Sequence, residues 1–138
     1  MQADYLDAHQ RHWDDAEYLF QAQRWANADH LYGMAAECGL KHLMMLFSMK
    51  VNPSTGSPVD NKDWKHAKEI WPRFEVYRSS RQAAGYVLPI VNPFDNWNAG
   101  QRYAHQSNFD QTRAQSHQAG AQVVRELIKK ARREGLLP

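Results

Sequence analysis

Asn27-Ala-Asp-His-Leu-Tyr-Gly-Met-Ala-Ala-Glu-Cys-Gly-Leu-Lys-His-Leu-Met-Met-Leu-Phe47 is the stretch that decides the fold. Its apolar positions, among them Leu31, Tyr32, Ala35, Cys38, Leu43 and Phe47, cover more than one face of an α-helix, the pattern of a rod with neighbours on several sides. The small residues Gly33, Ala35, Ala36 and Gly39 allow a second helix to approach closely. Asn27 or Asp29 is the expected N-cap, each able to accept from first-turn amides, and the helix is expected to run to about Met49. Glu37 and Lys41 stand one turn apart in the favourable order.

On the N-terminal side, Leu6, His9, Trp13, Ala16 and Phe20 recur at alternating spacings of three and four, which predicts an amphipathic helix over residues 3–23. On the C-terminal side, residues 51–61 carry two prolines and a glycine and read as a loop, the segment expected to be most mobile. Residues 62–84 carry a helical stripe (Trp64, Ala67, Trp71, Phe74, Tyr77), with Pro72 predicting a kink or break near Ile70. Gly85 is the expected stop. Residues 86–92 have strand composition but no partner strand, so an extended segment laid over the bundle is expected. A short turn then leads to Trp97-Asn-Ala-Gly-Gln-Arg-Tyr-Ala-His-Gln-Ser-Asn-Phe109, where Trp, Arg, Tyr and His crowd together without helical periodicity. Asp110 caps a last helix over residues 111–134, closed by Gly135. The whole predicts an all-α fold, an up-and-down antiparallel bundle of four to five helices in one domain spanning residues 1–138.

Bulk properties agree with an ordinary globular chain: 138 residues, 43% hydrophobic, 23% charged, net charge +2. The mild basicity permits an anionic ligand without demanding one. One cysteine, Cys38, excludes an intramolecular disulfide. The longest apolar run, Leu43–Phe47, falls far short of the ~20 residues needed to span a bilayer, and the first residues carry acids rather than a leader pattern. A cytoplasmic protein with no membrane contact is expected.

Three motifs, in order, resemble the HEPN domain family. Residues 28–43, with Ala35-x-Glu37-x-x-x-Lys41-x-Leu43, resemble its second helix. Lys65-His66-Ala67-Lys68-Glu69-Ile70 is similar to the Gly-His-Asp-Leu that opens its third helix. Gln101-Arg102-Tyr103 is similar to the Arg-Tyr that precedes its last helix. The resemblance implies a helical bundle, usually a homodimer, that binds a nucleotide or RNA. It also implies metal-independent ribonuclease activity in toxin and defence members, and pairing with a nucleotidyltransferase in others. Ribonuclease members carry Arg, roughly four to six residues, then His at the start of the last helix. Here Arg102 precedes His105 by a gap of two residues and Arg113 precedes His117 by three, so neither spacing matches; Arg24 and His30 are suitably spaced but lie at the second helix.

The expected ligand site is a cleft lined by Glu37, Lys41, Arg102 and Tyr103: Arg102 for phosphate, Lys41 for added charge, Tyr103 as a wall for the base, Glu37 to orient the cations. The alternative for Arg102 is a structural tie from the loop to Glu37, and for Tyr103 a core aromatic. If the protein is a nuclease, Arg102 and His105 are the catalytic pair, His105 taking the 2′-hydroxyl proton and Arg102 stabilising phosphorane charge. The third reading is a silent dimerisation or partner-binding module. Neither a cofactor nor a metal is expected: His9 and His12 lack a third ligand, and His9 falls on the apolar stripe. Lys65, Lys68, Arg73, Arg78 and Arg81 alternate with Trp64, Trp71, Phe74 and Tyr77, a pattern of nucleic-acid surfaces; on one helix the rings are expected to face the core and the bases water.

Overall fold

The computed structural model describes residues 1–137. It holds four α-helices: α1 (Tyr5–Gln21), α2 (Trp25–Leu46), α3 (Ala67–Arg73) and α4 (Gln111–Arg133). Among the described residues there is no β-strand, only a single antiparallel bridge between Val51 and Pro58, and no helix is long and apolar enough to cross a membrane.

The ends of α1 and α4 follow from local chemistry. The Asp4 carboxylate accepts from the Asp7 amide at 3.0 Å, and Asp110 accepts from the Arg113 amide at 2.9 Å, each satisfying an otherwise orphaned donor. After α4 the chain turns through Gly135 at φ 75°, so that the Leu136 amide reaches the Ala131 carbonyl at 2.9 Å. α2 begins earlier than its polar residues suggest. Gln23 adopts φ 58°, turning the chain sharply after α1, and Trp25 packs edge-on against Phe20 with ring centres 5.0 Å apart. Arg24 thereby occupies the N-cap without a capping side chain. Asn27 and Asp29 lie inside the helix.

α2 is the central rod, packed against α1, α3 and α4. Ala28, Tyr32, Ala35, Ala36, Leu40, Leu43 and Met44 are all fully buried. Pairings set the directions. Tyr32 meets Glu17 and Ala35 meets His9, so α1 runs opposite to α2. Gln118 meets Glu17 and Arg125 meets Gln10, so α4 also runs opposite to α1 and therefore alongside α2 in the same sense. α2 and α4 thus run parallel with α1 against both, and the return from α2 to α4 is made by residues 47–110.

That return is where expectation and structure differ most. The predicted helix over residues 62–84 is α-helical only through Ala67–Arg73, followed by a 3-10 turn over Phe74–Tyr77. Pro72 has no amide to give the Lys68 carbonyl, which is taken instead by the Asn92 side chain at 2.7 Å. Trp64 lies outside the helix and away from the core. Beyond Tyr77, Arg78 binds Glu75 and the Ala84 carbonyl, reversing the chain. The segment after Gly85 forms neither helix nor strand and bends at Ile90 and Val91; Tyr86 at its start is buried against Phe47, and its hydroxyl donates to Glu134 at 2.8 Å.

Residues 93–97 then pass between α2 and α4. Gly33 exists for Trp97: a Cβ there would lie 2.0 Å from the indole Cε2. Gly120 leaves comparable room for Pro93 and Phe94. These contacts bring the Trp97–Phe109 stretch onto the first half of α2.

Candidate functional site

The site is founded on a buried carboxylate. Asp29, with no exposed surface, receives His117 Nδ1 on one oxygen and the Gln101 side-chain amide on the other. The Arg113 guanidinium lies 3.5 Å from the second oxygen. The outer nitrogen of His117 bonds to Asn96 Oδ1 at 2.8 Å, and Arg113 donates to the Gln101 side chain and the Asn96 carbonyl. The Asp29 carbonyl accepts from the Trp97 indole at 3.2 Å. A buried carboxylate is tolerable only when opposite charge and several donors surround it. Asp29 therefore clamps residues 96–101 to α2 and α4 together.

On that clamp sits the 3-10 turn Ala99–Tyr103, opened by a capping box between Asn98 and Gln101. Gln101 points inward; Arg102 and Tyr103 point outward. Tyr103 is 80% exposed, and the Arg102 guanidinium lies over its ring at 4.8 Å. Beside them, His30 stacks on Trp97 with ring centres 5.7 Å apart. Burial lowers the His30 pKa, and the Arg102 charge lowers it further.

Next to this pair opens a cleft of about 530 Å³, walled by Arg24, Trp25 and Asn27 on one side and by His105, Ser107 and Phe109 on the other. The first-turn amides of α2 meet no capping side chain here, so the positive end of the helix dipole is open to the cleft. His105 Nδ1 accepts from the Ser107 amide at 3.1 Å and lies 2.9 Å from its hydroxyl. The neutral ring consequently carries its proton on Nε2 and presents a donor.

Glu37 and Lys41 lie elsewhere on α2. Their side chains are each 7% exposed and paired at 3.0 Å, and the second Glu37 oxygen meets His66 Nδ1 at 2.9 Å. That hydrogen bond is the largest cause of the raised His66 pKa, and the ring is half exposed. The predicted tie between Arg102 and Glu37 is not formed. Glu37 is satisfied by the lysine one turn along its own helix and by the residue that opens α3, while the seat of the Arg102 turn is Asp29. Tyr103 is not a core aromatic. The four residues expected in one cleft are instead divided along one stripe of α2 (His30, Met34, Glu37, Lys41), with Arg102 at the His30 end and His66 at the other. His30 and Glu37 are about 10 Å apart along the axis.

Other expectations concern single residues. Cys38 is buried, which pushes its thiol up to about 12, so it carries no thiolate at neutral pH. His9 is buried with Nδ1 2.7 Å from the Ala35 carbonyl, and no group of three or more His, Cys, Asp or Glu among the described residues is arranged as metal ligands. The Asp29 network escaped the sequence reading because Gln101 and His117 lie 72 and 88 residues away. The available signal was an acid inside a helix that another cap site would serve better. Arg24 was visible only through its spacing to His30, which lies at the second helix rather than the last.

Compared with protein-family models, curated proteins and solved structures, the chain matches none. The HEPN resemblance thus rests on the three motifs quoted above.

Proposed function

We propose that the protein binds a phosphate-bearing ligand, a nucleotide or RNA, at Arg102 and Tyr103 and in the adjoining cleft where residues 104–107 face the first turn of α2. The observation that carries this reading is the Arg102–Tyr103 pair: a guanidinium and a ring, both exposed, with no carboxylate among the described residues engaging the guanidinium, mounted on a rigid buried seat. Arg24, the uncapped amides of α2 and the His105 Nε2 proton add donors around the adjoining cleft. Donors of this kind suit phosphate oxygens, and an exposed ring suits a base. Binding is favoured over cleavage by His105 itself. A general base needs a free lone pair, and the one on Nδ1 already accepts from Ser107.

Calorimetric titration with ribonucleoside mono- and triphosphates and a short RNA tests the reading. Arg102→Ala is expected to weaken binding about tenfold, the loss of one charge-assisted contact. Unchanged affinity in Arg102→Ala and Tyr103→Ala would remove the site. Incubation with RNA decides the alternative: cleavage lost in His105→Ala would make the protein a nuclease.

A further inference from the structure

The basic, aromatic stretch at residues 62–68 does not take the form its periodicity suggests. Trp64 ends a 3-10 turn over Asn61–Asp63 and is 59% exposed, whereas Trp71 and Phe74 are buried in the core. Its ring is nonetheless held, because the indole N–H donates to the Pro58 carbonyl at 2.8 Å. Within four residues of it in sequence, Lys62, Lys65, His66 and Lys68 are exposed. The lysine ion pairs among the described residues belong to Lys41, Lys129 and Lys130, so these three ammonium groups are free. The neighbouring acids are largely neutralised. Asp63 is buried against Arg73 at 2.7 Å, Asp60, half exposed, pairs with the same guanidinium at 3.2 Å, and Glu69 is exposed. Beneath the surface, the Glu37 carboxylate lies between Lys41 and His66, which fixes the imidazole ring.

A fixed, exposed indole with three exposed, unpaired lysines within four residues of it in sequence has the makings of a stacking platform with phosphate contacts, a combination that serves any base and tracks a backbone. It stands at the Glu37 end of the α2 stripe, with Arg102 and Tyr103 at the His30 end. We propose that Trp64, Lys62, Lys65 and Lys68 form a second contact for the same ligand, which makes that ligand a single-stranded nucleic acid rather than a mononucleotide. This rests on the binding reading above and names its substrate class.

The test is fluorescence anisotropy with a labelled 15-nucleotide single-stranded RNA, alongside calorimetry with a nucleoside monophosphate. Trp64→Ala is expected to weaken RNA binding about tenfold, within the range for loss of one stacked base. Mononucleotide affinity is expected to be unchanged in that variant. Trp64→Phe keeps a ring and is expected to recover most of the loss, which separates stacking from damage to the fold. Replacing Lys62, Lys65 and Lys68 by alanine is expected to lower the salt slope of RNA binding by about 2. Arg102→Ala, in contrast, is expected to weaken both ligands. If Trp64→Ala and the lysine variant bind RNA as the parent does while Arg102→Ala loses both ligands, the platform is overturned and the first site stands. If Trp64→Ala loses RNA while Arg102→Ala changes neither ligand, the platform stands and the first site falls. No RNA binding by the parent protein overturns the platform.

Discussion

At the residue scale the molecule depends on a few buried polar groups, and each makes a distinct forecast. Asp29 compensates Arg113 and His117 inside the α2–α4 contact. Asp29→Ala leaves both without their carboxylate and is expected to cost about 3–5 kcal/mol of stability by urea denaturation. His9 makes a forecast in pH. Burial pushes its pKa down to about 4, so the folded chain keeps the ring neutral where the unfolded chain protonates it. Its contribution is therefore intact above the ordinary histidine value of about 6.5 and is lost as pH falls from there towards 4. Between pH 7 and pH 5 this amounts to about 2 kcal/mol. A His9→Gln variant, which cannot titrate, is expected to lose that much less stability than the parent over the same interval. His12, His30 and His42 are shifted in the same direction, His66 in the opposite one.

At the scale of elements, local chemistry explains the helices whose ends are local and fails where a distant residue intervenes. α1 and α4 were legible because Asp4 and Asp110 sit directly before a one-faced stripe. The start of α2 was not, because Gln23 takes a left-handed conformation and Trp25 finds Phe20, leaving the polar Asp29 for tertiary work. α3 was overextended because its stripe continues past Pro72, and nothing nearby announces that Asn92 will take the freed carbonyl. The site divides in the same manner. Glu37 with Lys41 is visible as a one-turn pair and Arg102 with Tyr103 as polar crowding, but what seats the second pair is long-range. Two substitutions probe the elements. After α2, Ser48 holds φ 100° while the Met49 amide reaches the Met44 carbonyl at 2.7 Å. Ser48→Gly is expected to stabilise by about 1 kcal/mol, read as a higher urea midpoint. Gly33→Ala, which drives a methyl into Trp97, is expected to destabilise by about 1–3 kcal/mol and to weaken ligand binding by shifting the Arg102 turn.

At the scale of the whole molecule, the bundle is a device for holding an irregular segment still. α2 is buried by three neighbours, and its first half receives residues 93–103 between itself and α4. The scaffold is apolar, the clamp is ionic, and the groups left facing water are a guanidinium, a phenol ring and an imidazole donor. The central claim is that this exposed set is where a phosphate-bearing chain is bound. The most direct measurement is an amide NMR titration of the protein with a short single-stranded RNA. The account predicts concentration-dependent shifts at Trp25, Ala26, Asn27, Arg102, Tyr103 and His105, with the far end of α4 unmoved. Saturating RNA that leaves those six amides in place, or moves only residues remote from them, would contradict it.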